Sequence, residues 1–296
     1  MSDYSGGPVH EEGSFNILIA GKHGSLIDTM IFVHLDETER TIDMISIPRD
    51  LYYNGRKINH YVSSYGMEEF KRVLGDITGY ELDKFILIDM YAFIDVVDLI
   101  GGIDLYLDQA VIDPTYKTLD DGVWGTLHYE PGAYHMNGRE ALRLARTRHT
   151  SSDFARSERQ QTILAAIQKK ARSFGFGDAG TLYDIVKTVL KKTETDISVS
   201  EAIQYYFRYQ SFEMKSAHVI SSGNILYVPE YVSTKQCGEM ITEWEEAGGA
   251  DGAAEAGERP DCENTLNAYT LLPRDNNWKL IKWYFREIFD GDGLDY

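Results

Sequence analysis

Five arginines lie close together near the middle of the chain, at Arg143, Arg146, Arg148, Arg156 and Arg159. The chain as a whole carries 47 acidic and 29 basic residues and a formal net charge of −18, so this concentration stands out from its composition. Arginine binds phosphate through paired hydrogen bonds from its planar guanidinium group. The cluster predicts a local site for a phosphate-sized anion. The alternative is that these arginines pair with the chain's own surplus carboxylates.

The spacing of the arginines predicts two converging pairs. Arg146 and Arg148 are two residues apart, so on an extended segment both side chains point to the same side. Arg156 and Arg159 are three apart and share one face of a helix, which the sequence predicts from Asp153 to about residue 174. The first turn of that helix adds free backbone N–H groups and a partial positive charge. Such a corner suits a phosphate dianion.

A second basic position lies in the stretch "SIPRDLYYNGRKIN". A proline ends the preceding strand, so Arg49 and Asp50 emerge at its carboxyl end, where open α/β sheets place ligands. Lys57 and Asn59 follow a "YNG" turn. The alternatives are a surface ion pair between Arg49 and Asp50, which contributes little, and an ordinary solvated Lys57. Residue types alone leave both interpretations open.

The segment "GKHGSLIDT", residues 21–29, lies between two predicted strands. It has glycine and lysine but lacks the first glycine of a phosphate-binding P-loop, and His23 stands where that motif needs a hydroxyl. Asp28 precedes an apolar run and has the chemistry to bind a hard cation such as Mg²⁺. The alternative for Asp28 is a turn or strand-edge residue.

The elements that must position these residues alternate between strand and helix, which predicts an α/β fold. Apolar runs that end at turns or proline indicate three neighbouring strands and a later fourth. Helices are predicted where apolar residues recur at helical spacing and a glycine follows. The predicted strands are 15–20, 30–36, 41–48 and 103–108, and the predicted helices are 67–79, 91–102 and 276–289, the last with Trp278, Ile281, Phe285 and Ile288 on one face.

Domain boundaries are predicted from composition. Residues 1–13 are expected to be a flexible segment, residues 14–291 one domain, and residues 292–296 a tail. An acidic, Gly/Ala-rich insertion at about 237–262 interrupts the domain between the chain's two cysteines. Cys237 and Cys262 are either unrelated thiols or a disulfide that closes this loop, and no Cys or His at ligand spacing supports a metal site there.

Charge and hydropathy exclude two classes of partner. A net charge of −18 repels polyanions, so general nucleic-acid binding is not expected. No apolar run reaches the roughly 18 residues that a transmembrane helix needs. The sequence given is therefore expected to behave as a soluble chain.

Several motifs, in this order along the chain, resemble the LytR-CpsA-Psr family of mainly Gram-positive bacteria. They are "FNILIAG", "DTMIFVHLD", "SIPRDLY", "KIN", "LIGGIDLYLD", "MNGREALRLARTRHT" and "DFARSERQQTIL". The resemblance implies a mixed central sheet flanked by helices, with an apolar pocket for a lipid. It also implies an N-terminal membrane anchor, a domain on the outer face of the cytoplasmic membrane, and an oxidising environment that suits the disulfide.

The activity that the resemblance implies is an Mg²⁺-dependent phosphotransferase. Such an enzyme takes a teichoic acid or capsule glycopolymer from a polyprenyl-pyrophosphate carrier and joins it to a peptidoglycan hydroxyl through a phosphodiester. Two alternatives remain: a binding module for polyprenyl phosphates without turnover, and a lipid-pyrophosphate hydrolase.

Residues are carried over from the family's motifs one by one. Those matching the pyrophosphate-binding arginines are Arg49, Arg146, Arg148 and Arg156, and the one matching the magnesium-linked aspartate is Asp28. Further motif positions with less defined roles in substrate binding are Lys57, Asn59, Asp153, Arg159 and Gln160. Leu26 and His23 depart from the family pattern, since relatives carry an arginine and a second aspartate there. The departures imply a weakened metal site.

Overall fold

The computed structural model describes residues 7–120, 123–147, 153–173, 179–229 and 269–290. The strands in these ranges are β1 (Ser14–His23), β2 (Leu26–Asp36), β3 (Thr41–Ser46), β4 (Tyr52–Tyr53), β5 (Arg56–Lys57), β6 (Lys84–Asp89), β7 (Ile103–Leu107), β8 (Val111–Asp120), β9 (Val123–Tyr129), β10 (Gly132–Met136), β11 (Thr193–Thr195), β12 (Glu213–Val219), β13 (Leu226–Tyr227) and β14 (Leu272–Pro273). The α-helices are α1 (Tyr61–Tyr65), α2 (Met67–Thr78), α3 (Met90–Leu99), α4 (Gly138–Arg146), α5 (Asp153–Arg172), α6 (Ala179–Lys192), α7 (Val199–Tyr209) and α8 (Lys279–Phe289).

A mixed sheet of six strands forms the centre of the described structure, in the order β11-β6-β1-β2-β3-β12. Strand β1 pairs antiparallel with β2 and parallel with β6, and β3 pairs antiparallel with β2 and parallel with β12. The prediction that the first three strands are neighbours is confirmed. Strands β1, β2 and β3 form long, apolar ladders, and these ladders position the residues of the candidate site.

Apolar side chains alternate between the two faces of the sheet, so each face needs its own cover. On one face, Phe32 packs edge-on against Phe285 of α8, in a core that also contains Phe70 of α2. On the other face, Val33 lies in a cluster with Tyr209 of α7, and Leu164 of α5 packs against it. The predicted mixed α/β fold with flanking helices is confirmed.

Two helix predictions show how short-range signals determine element ends. Helix α2 ends at Gly79, whose φ of 88° is the left-handed conformation that glycine adopts without strain. The last helix buries Ile281, Phe285 and Ile288 as their spacing predicts. Helix α3 ends at Leu99, earlier than predicted, and two positive-φ glycines then lead into β7.

The segment 21–29 is part of a hairpin, whereas the sequence indicated a loop between two shorter strands. Strands β1 and β2 continue through it to His23 and Leu26, and Gly24, with a φ of 62°, forms the tight turn between them. The strand prediction relied on apolar runs, so it did not extend into the polar residues at the tip of this hairpin.

The expectation that Arg146 lies on an extended segment is wrong. Arg146 is the last residue of α4, and the backbone N–H of Thr147 still donates to the carbonyl of Arg143. A capping box, in which Asn137 and Glu140 exchange hydrogen bonds, starts this helix. Arg148 lies outside the described residues, so the predicted pairing of the two arginines stays a prediction.

Residues before position 14 contact the folded domain. Val9 pairs with Tyr80, and its backbone bonds to Gly79 and Glu81 at 2.9 Å each. Cys237, Cys262 and the acidic insertion lie outside the described residues. Of the helices in the described ranges, none has the length and apolar character that crossing a membrane requires.

Candidate active site

Two cavities meet at one end of the central sheet. The first, with a volume of about 140 Å³, lies between the sheet and three helices and is lined mainly by apolar side chains. These come from β1, β2, β6, α3, α4 and α5, and examples are Ile19, Ile31, Ile88, Phe93, Leu142 and Ile163. Such a narrow apolar space suits a hydrocarbon chain rather than a polar ligand.

The second cavity is a wider cleft of about 630 Å³ with a polar lining. Arg49, Asp50 and Arg156 contribute charge, and a loop of hydroxyl and amide residues after β12 forms the opposite wall. Asp28, Thr29 and Gln160 line both cavities, so the apolar cavity ends where the charged cleft begins. A ligand with an apolar tail and an anionic centre fits an apolar cavity that leads into a charged cleft.

A β-bulge brings Asp28 to the junction. Gly21 pairs with Thr29 and the next residue, Lys22, pairs with Ile27, so Asp28 is an extra residue on β2 without a partner opposite. Bulges turn a side chain away from the regular alternation of a strand and recur beside active sites. The side chain of Asp28 therefore meets the cleft, while Ile27 is buried in the core.

Arg49 follows β3 and binds two carboxylates. Its guanidinium forms a short ion pair with Asp28 and a longer one, at 3.3 Å, with Asp50. Burial works against the charge of Arg49, but the hydrogen bonds and fields of Asp28 and Asp50 outweigh it and raise the pKa of the guanidinium. Arg49 is therefore fully charged and orientated by acids on both sides.

The hairpin of β4 and β5 supports Arg49 from behind. Asn54 and Gly55 have φ values of 46° and 80° and form the tight turn that their types predict. The turn brings Lys57 to Asp50 at 2.7 Å, and the N–H of Asn59 donates to the carbonyl of Arg49 at 3.3 Å. Neither Lys57 nor Asn59 is among the residues that line the two cavities, so their contact with this site runs through Asp50 and Arg49.

The corner between α4 and α5 carries the other predicted arginines. Arg146 is exposed and lines the apolar cavity, and Arg156 lines the cleft. Arg159 instead donates to the carbonyls of Leu144 and Thr147, at 3.2 and 2.6 Å, where α4 ends. Burial, and then the charge of Arg156, lowers the pKa of Arg159. Its guanidinium joins the two helices at the site's edge.

Gln160 and its neighbour complete the attachment of α5. The amide of Gln160 donates to the carbonyl of Ala145 at 3.2 Å, next to the bonds of Arg159. The buried Gln161 donates to the hydroxyl of Ser46 at 2.9 Å and to the carbonyl of His218 at 2.7 Å. Asp153 is the first residue of α5, and its side chain lies outside the described part of the structure.

Sequence reasoning missed three residues that fix this corner, Thr147, Asp113 and Gln161. Thr147, directly after α4, donates to the buried Asp113 of β8 at 2.5 Å. Asp113 also accepts from the hydroxyl and N–H of Thr115 and from the N–H of Tyr116. Burial raises the pKa of Asp113, but these hydrogen bonds outweigh burial and hold it below its ordinary value. "DPT" signals a local turn, but no sequence pattern predicts the bond to Thr147. Gln161, within "RQQT", gave no such signal either.

A metal ion at the junction depends on Asp28. Within the described ranges no three acidic, His or Cys side chains come together as a metal cage. Mg²⁺, however, is commonly held by one or two carboxylates together with substrate phosphate and water. Among the described residues, Arg49 binds Oδ1 of Asp28, which leaves Oδ2 for a cation. The residues fit an Mg²⁺ ion that arrives with a phosphate ligand.

Comparison with known proteins identifies the class. The profile of the LytR_cpsA_psr family matches residues 2–242, which is most of the chain. The chain therefore belongs to the LytR_cpsA_psr family, as the order of its motifs indicated.

Two curated relatives come from Bacillus subtilis (strain 168). The chain is 28% identical over 217 residues to "Polyisoprenyl-teichoic acid--peptidoglycan teichoic acid transferase TagV", covering 68% of this chain and 53% of that protein. It is 28% identical over 205 residues to the transferase of the same description named TagT, covering 64% of this chain and 62% of that protein. The chain thus spans between about half and two thirds of these relatives' length.

Solved structures share the fold. The crystal structure of B. subtilis TagV superposes with a TM-score of 0.66 at 22% identity, covering 95% of this chain and 99% of that chain. The structure titled "TagT bound to LI-WTA" gives a TM-score of 0.63 at 20% identity, covering 94% and 92%. At these levels of sequence identity, the structural similarity establishes that the fold is shared.

Proposed function

We propose that this protein transfers a glycopolymer from a polyprenyl-pyrophosphate carrier to a hydroxyl of peptidoglycan and forms a phosphodiester. The observation that carries the proposal is the junction of the apolar cavity with the arginine-bearing cleft at Asp28, Thr29 and Gln160. A polyprenyl pyrophosphate has the same order of groups: hydrocarbon, two phosphates, then glycan. The names of the curated relatives, which transfer teichoic acid from a polyisoprenyl carrier, support the same assignment.

The arginines would bind the two phosphates at the junction. Arg49 and Arg156 reach the site from the cleft and Arg146 from the apolar cavity. Guanidinium groups hold phosphate oxygens in fixed geometry and neutralise the charge that develops on the leaving polyprenyl phosphate. Because phosphoryl transfer depends mainly on positioning and electrostatics, such a set would favour transfer without a covalent intermediate.

Asp28 would hold Mg²⁺ against the pyrophosphate through the carboxylate oxygen that does not bind Arg49. When bound, such an ion withdraws electron density from the attacked phosphorus. Arg49 and Lys57 keep Asp50 engaged, which leaves Asp28 as the carboxylate of the cleft with an open oxygen among the described residues. The proposed magnesium dependence rests on this fit.

The location follows from the substrates of the proposed reaction. Peptidoglycan and the lipid-linked glycopolymer lie outside the cytoplasmic membrane, so the proposal places the domain on its outer face. The anchor that the family resemblance implies stays a prediction.

The testing experiment uses a short prenyl-pyrophosphate glycan and peptidoglycan oligomers, with and without Mg²⁺, for wild type and Arg49→Ala. Formation of the phosphodiester by wild type, reduced in Arg49→Ala, supports the proposal. Retention of the lipid without transfer would instead identify a carrier-binding module. Release of the glycan phosphate at the same rate without acceptor would identify a hydrolase.

A further inference from the structure

His218 lies at the cleft, and no step of the transfer described above uses it. It is the second-last residue of β12 and pairs with Ile45 of β3. It lines the cleft together with Arg49, Asp50 and Arg156, on the wall formed by the loop that follows β12. His218 thus lies in the cleft that also contains the proposed phosphate-binding arginines Arg49 and Arg156.

Two contacts fix the position of His218. Its carbonyl accepts a hydrogen bond of 2.7 Å from Gln161 of α5, which ties the end of β12 to the helix that carries Arg156. Its imidazole lies edge-on to Tyr284 of α8, with the ring centroids 6.3 Å apart and an interplanar angle of 89°. No described residue forms a hydrogen bond with either ring nitrogen, so the ring is held by packing with its proton-binding atoms available.

Burial of the imidazole favours the neutral form of His218. Burial lowers the pKa of His218, and the smaller opposing effect comes from Asp43 of β3. Tyr284 from α8 is the ring that packs on it, and the charged groups that share the cleft wall are Asp28, Arg49, Asp50 and Arg156. A neutral imidazole is the form that accepts a proton.

The acidic groups of the cleft are engaged with cationic side chains. Asp28 is paired with Arg49, and Asp50 is held by Arg49 and Lys57. Of the titratable residues that line the described cleft, His218 therefore combines a neutral basic form with an unused nitrogen.

We propose that His218 is the general base that accepts the proton of the acceptor hydroxyl. This inference rests on the proposed function. The acceptor oxygen forms a bond to the phosphorus that carries the glycan, and its proton passes to a ring nitrogen of His218. The bond between that phosphorus and the bridging oxygen breaks, and polyprenyl phosphate leaves with the electron pair. The imidazolium then returns its proton to solvent.

The first test compares His218→Gln with His128→Gln. His128 is a matched control, since it lies on the exposed β9 strand, bonded to Glu130 at 2.7 Å, and lines neither cavity. General-base catalysis contributes about 10²- to 10⁴-fold, so His218→Gln is expected to lower the maximal transfer rate about 100-fold or more. Lipid binding should stay within about twofold, and the acidic limb of the pH–rate profile should disappear. Transfer by His218→Gln within threefold of wild type, with that limb intact, would overturn the proposal.

His218→Asn serves as the second variant if the first has a lowered melting temperature, because the shorter amide relieves any crowding against Tyr284. The expected loss of rate is the same. If the variant that melts like wild type also transfers at the wild-type rate, His218 has a structural role and the inference is overturned.

A second measurement does not depend on turnover. Titration of the histidine ring protons by NMR, with and without farnesyl pyrophosphate, reports whether the phosphates bind beside His218. The bound anion is expected to raise the pKa of His218 and leave that of His128 unchanged. If wild type transfers nothing under any condition, the proposed function fails. If farnesyl pyrophosphate binds without moving His218, the present inference fails even where transfer occurs.

Discussion

Arg49 lies in a balanced set of charges. Two cations, Arg49 and Lys57, face two carboxylates, Asp28 and Asp50, through three ion pairs. A phosphate that binds Arg49 must compete with Asp28, and a cation on the other oxygen of Asp28 weakens the pull of that carboxylate on Arg49. Metal and pyrophosphate are therefore expected to bind cooperatively, because each weakens the same ion pair.

Asp28→Asn is expected to separate these two effects. Without its carboxylate competitor, Arg49 should bind farnesyl pyrophosphate about three- to tenfold more tightly in the absence of metal, while Mg²⁺ should no longer enhance binding or transfer. Calorimetric titration with and without Mg²⁺ measures both. Asp76→Asn, on α2 beside Arg72, is the matched control. Weaker metal-free binding by Asp28→Asn would contradict the competition.

Arg49→Ala should weaken farnesyl pyrophosphate binding roughly ten- to a hundredfold, since a hydrogen bond to a charged group contributes about 1.5–3 kcal/mol. The exposed Arg72 pairs with Glu69 and Asp76 on α2 and lines neither cavity, so Arg72→Ala is expected to bind like wild type. Equal affinity of the two variants, measured by titration, would exclude Arg49 from the phosphate site.

At the scale of elements, the site depends on the ends of α4, α5 and β12 being held together. Arg159 and Gln160 bond the last carbonyls of α4, Gln161 bonds β3 and β12, and Thr147 bonds Asp113. These contacts are made by motif residues whose predicted role was substrate binding, or by residues that no motif marked. The same segment thus builds the corner and presents Arg146 and Arg156 on it.

Asp113→Asn tests this attachment. The native carboxylate is buried and accepts four hydrogen bonds, two of them from N–H groups, so the variant is expected to lose about 1–3 kcal/mol of unfolding free energy. Urea unfolding measures the loss, and Asp108→Asn, at an exposed position between β7 and β8, is the control. Loss of equal size in both variants would contradict a specific role.

The unfolding free energy at acid pH tests the direction of the pKa shift of Asp113. The folded pKa of Asp113 is lowered, so its stabilising contribution is complete above the unfolded value of about 3.9 and disappears as the pH falls below it. Wild type should lose unfolding free energy in this window more steeply than Asp113→Asn. Parallel profiles between about pH 4 and pH 2 would show that the pKa of Asp113 is not lowered by folding.

A feature of the structure can be predicted from the sequence when neighbouring residues determine it, and it is missed when distant parts of the chain determine it. Strands β1 to β3 and the end of α2 at Gly79 depend on local apolar runs and a local φ, and both were predicted. The helical position of Arg146 follows from a helix that a capping box of Asn137 and Glu140 starts, and the two-residue spacing of the arginines does not reveal it. The pairing of Asp28 with Arg49 depends on a bulge and on strand register, which no single stretch of sequence encodes.

For the molecule as a whole, a net charge of −18 coexists with a cleft that Arg49 and Arg156 line. Anionic substrates must be bound against the mean field, so affinity has to come from short-range contacts in a partly buried site, which salt screens less than surface charges. The acidic insertion between Cys237 and Cys262 adds to that field.

The predicted disulfide is testable on the intact chain. Closing a loop of this length contributes roughly 3 kcal/mol in the chain-entropy model, so Cys237→Ser should lower the melting temperature by several degrees under oxidising conditions. The difference should vanish in reductant, and Cys262→Ser should behave identically. Two titratable thiols in the folded wild type, with unchanged melting of the variants, would show that the bridge does not form.

The junction at Asp28, Thr29 and Gln160 also bears on how products would depart. These are the residues common to the linings of the two cavities in the described structure. A substrate cleaved at this point leaves its lipid phosphate in the narrow apolar cavity and its glycan in the wide cleft. On the proposed function, the two products then occupy different cavities, so neither has to pass through the space that holds the other.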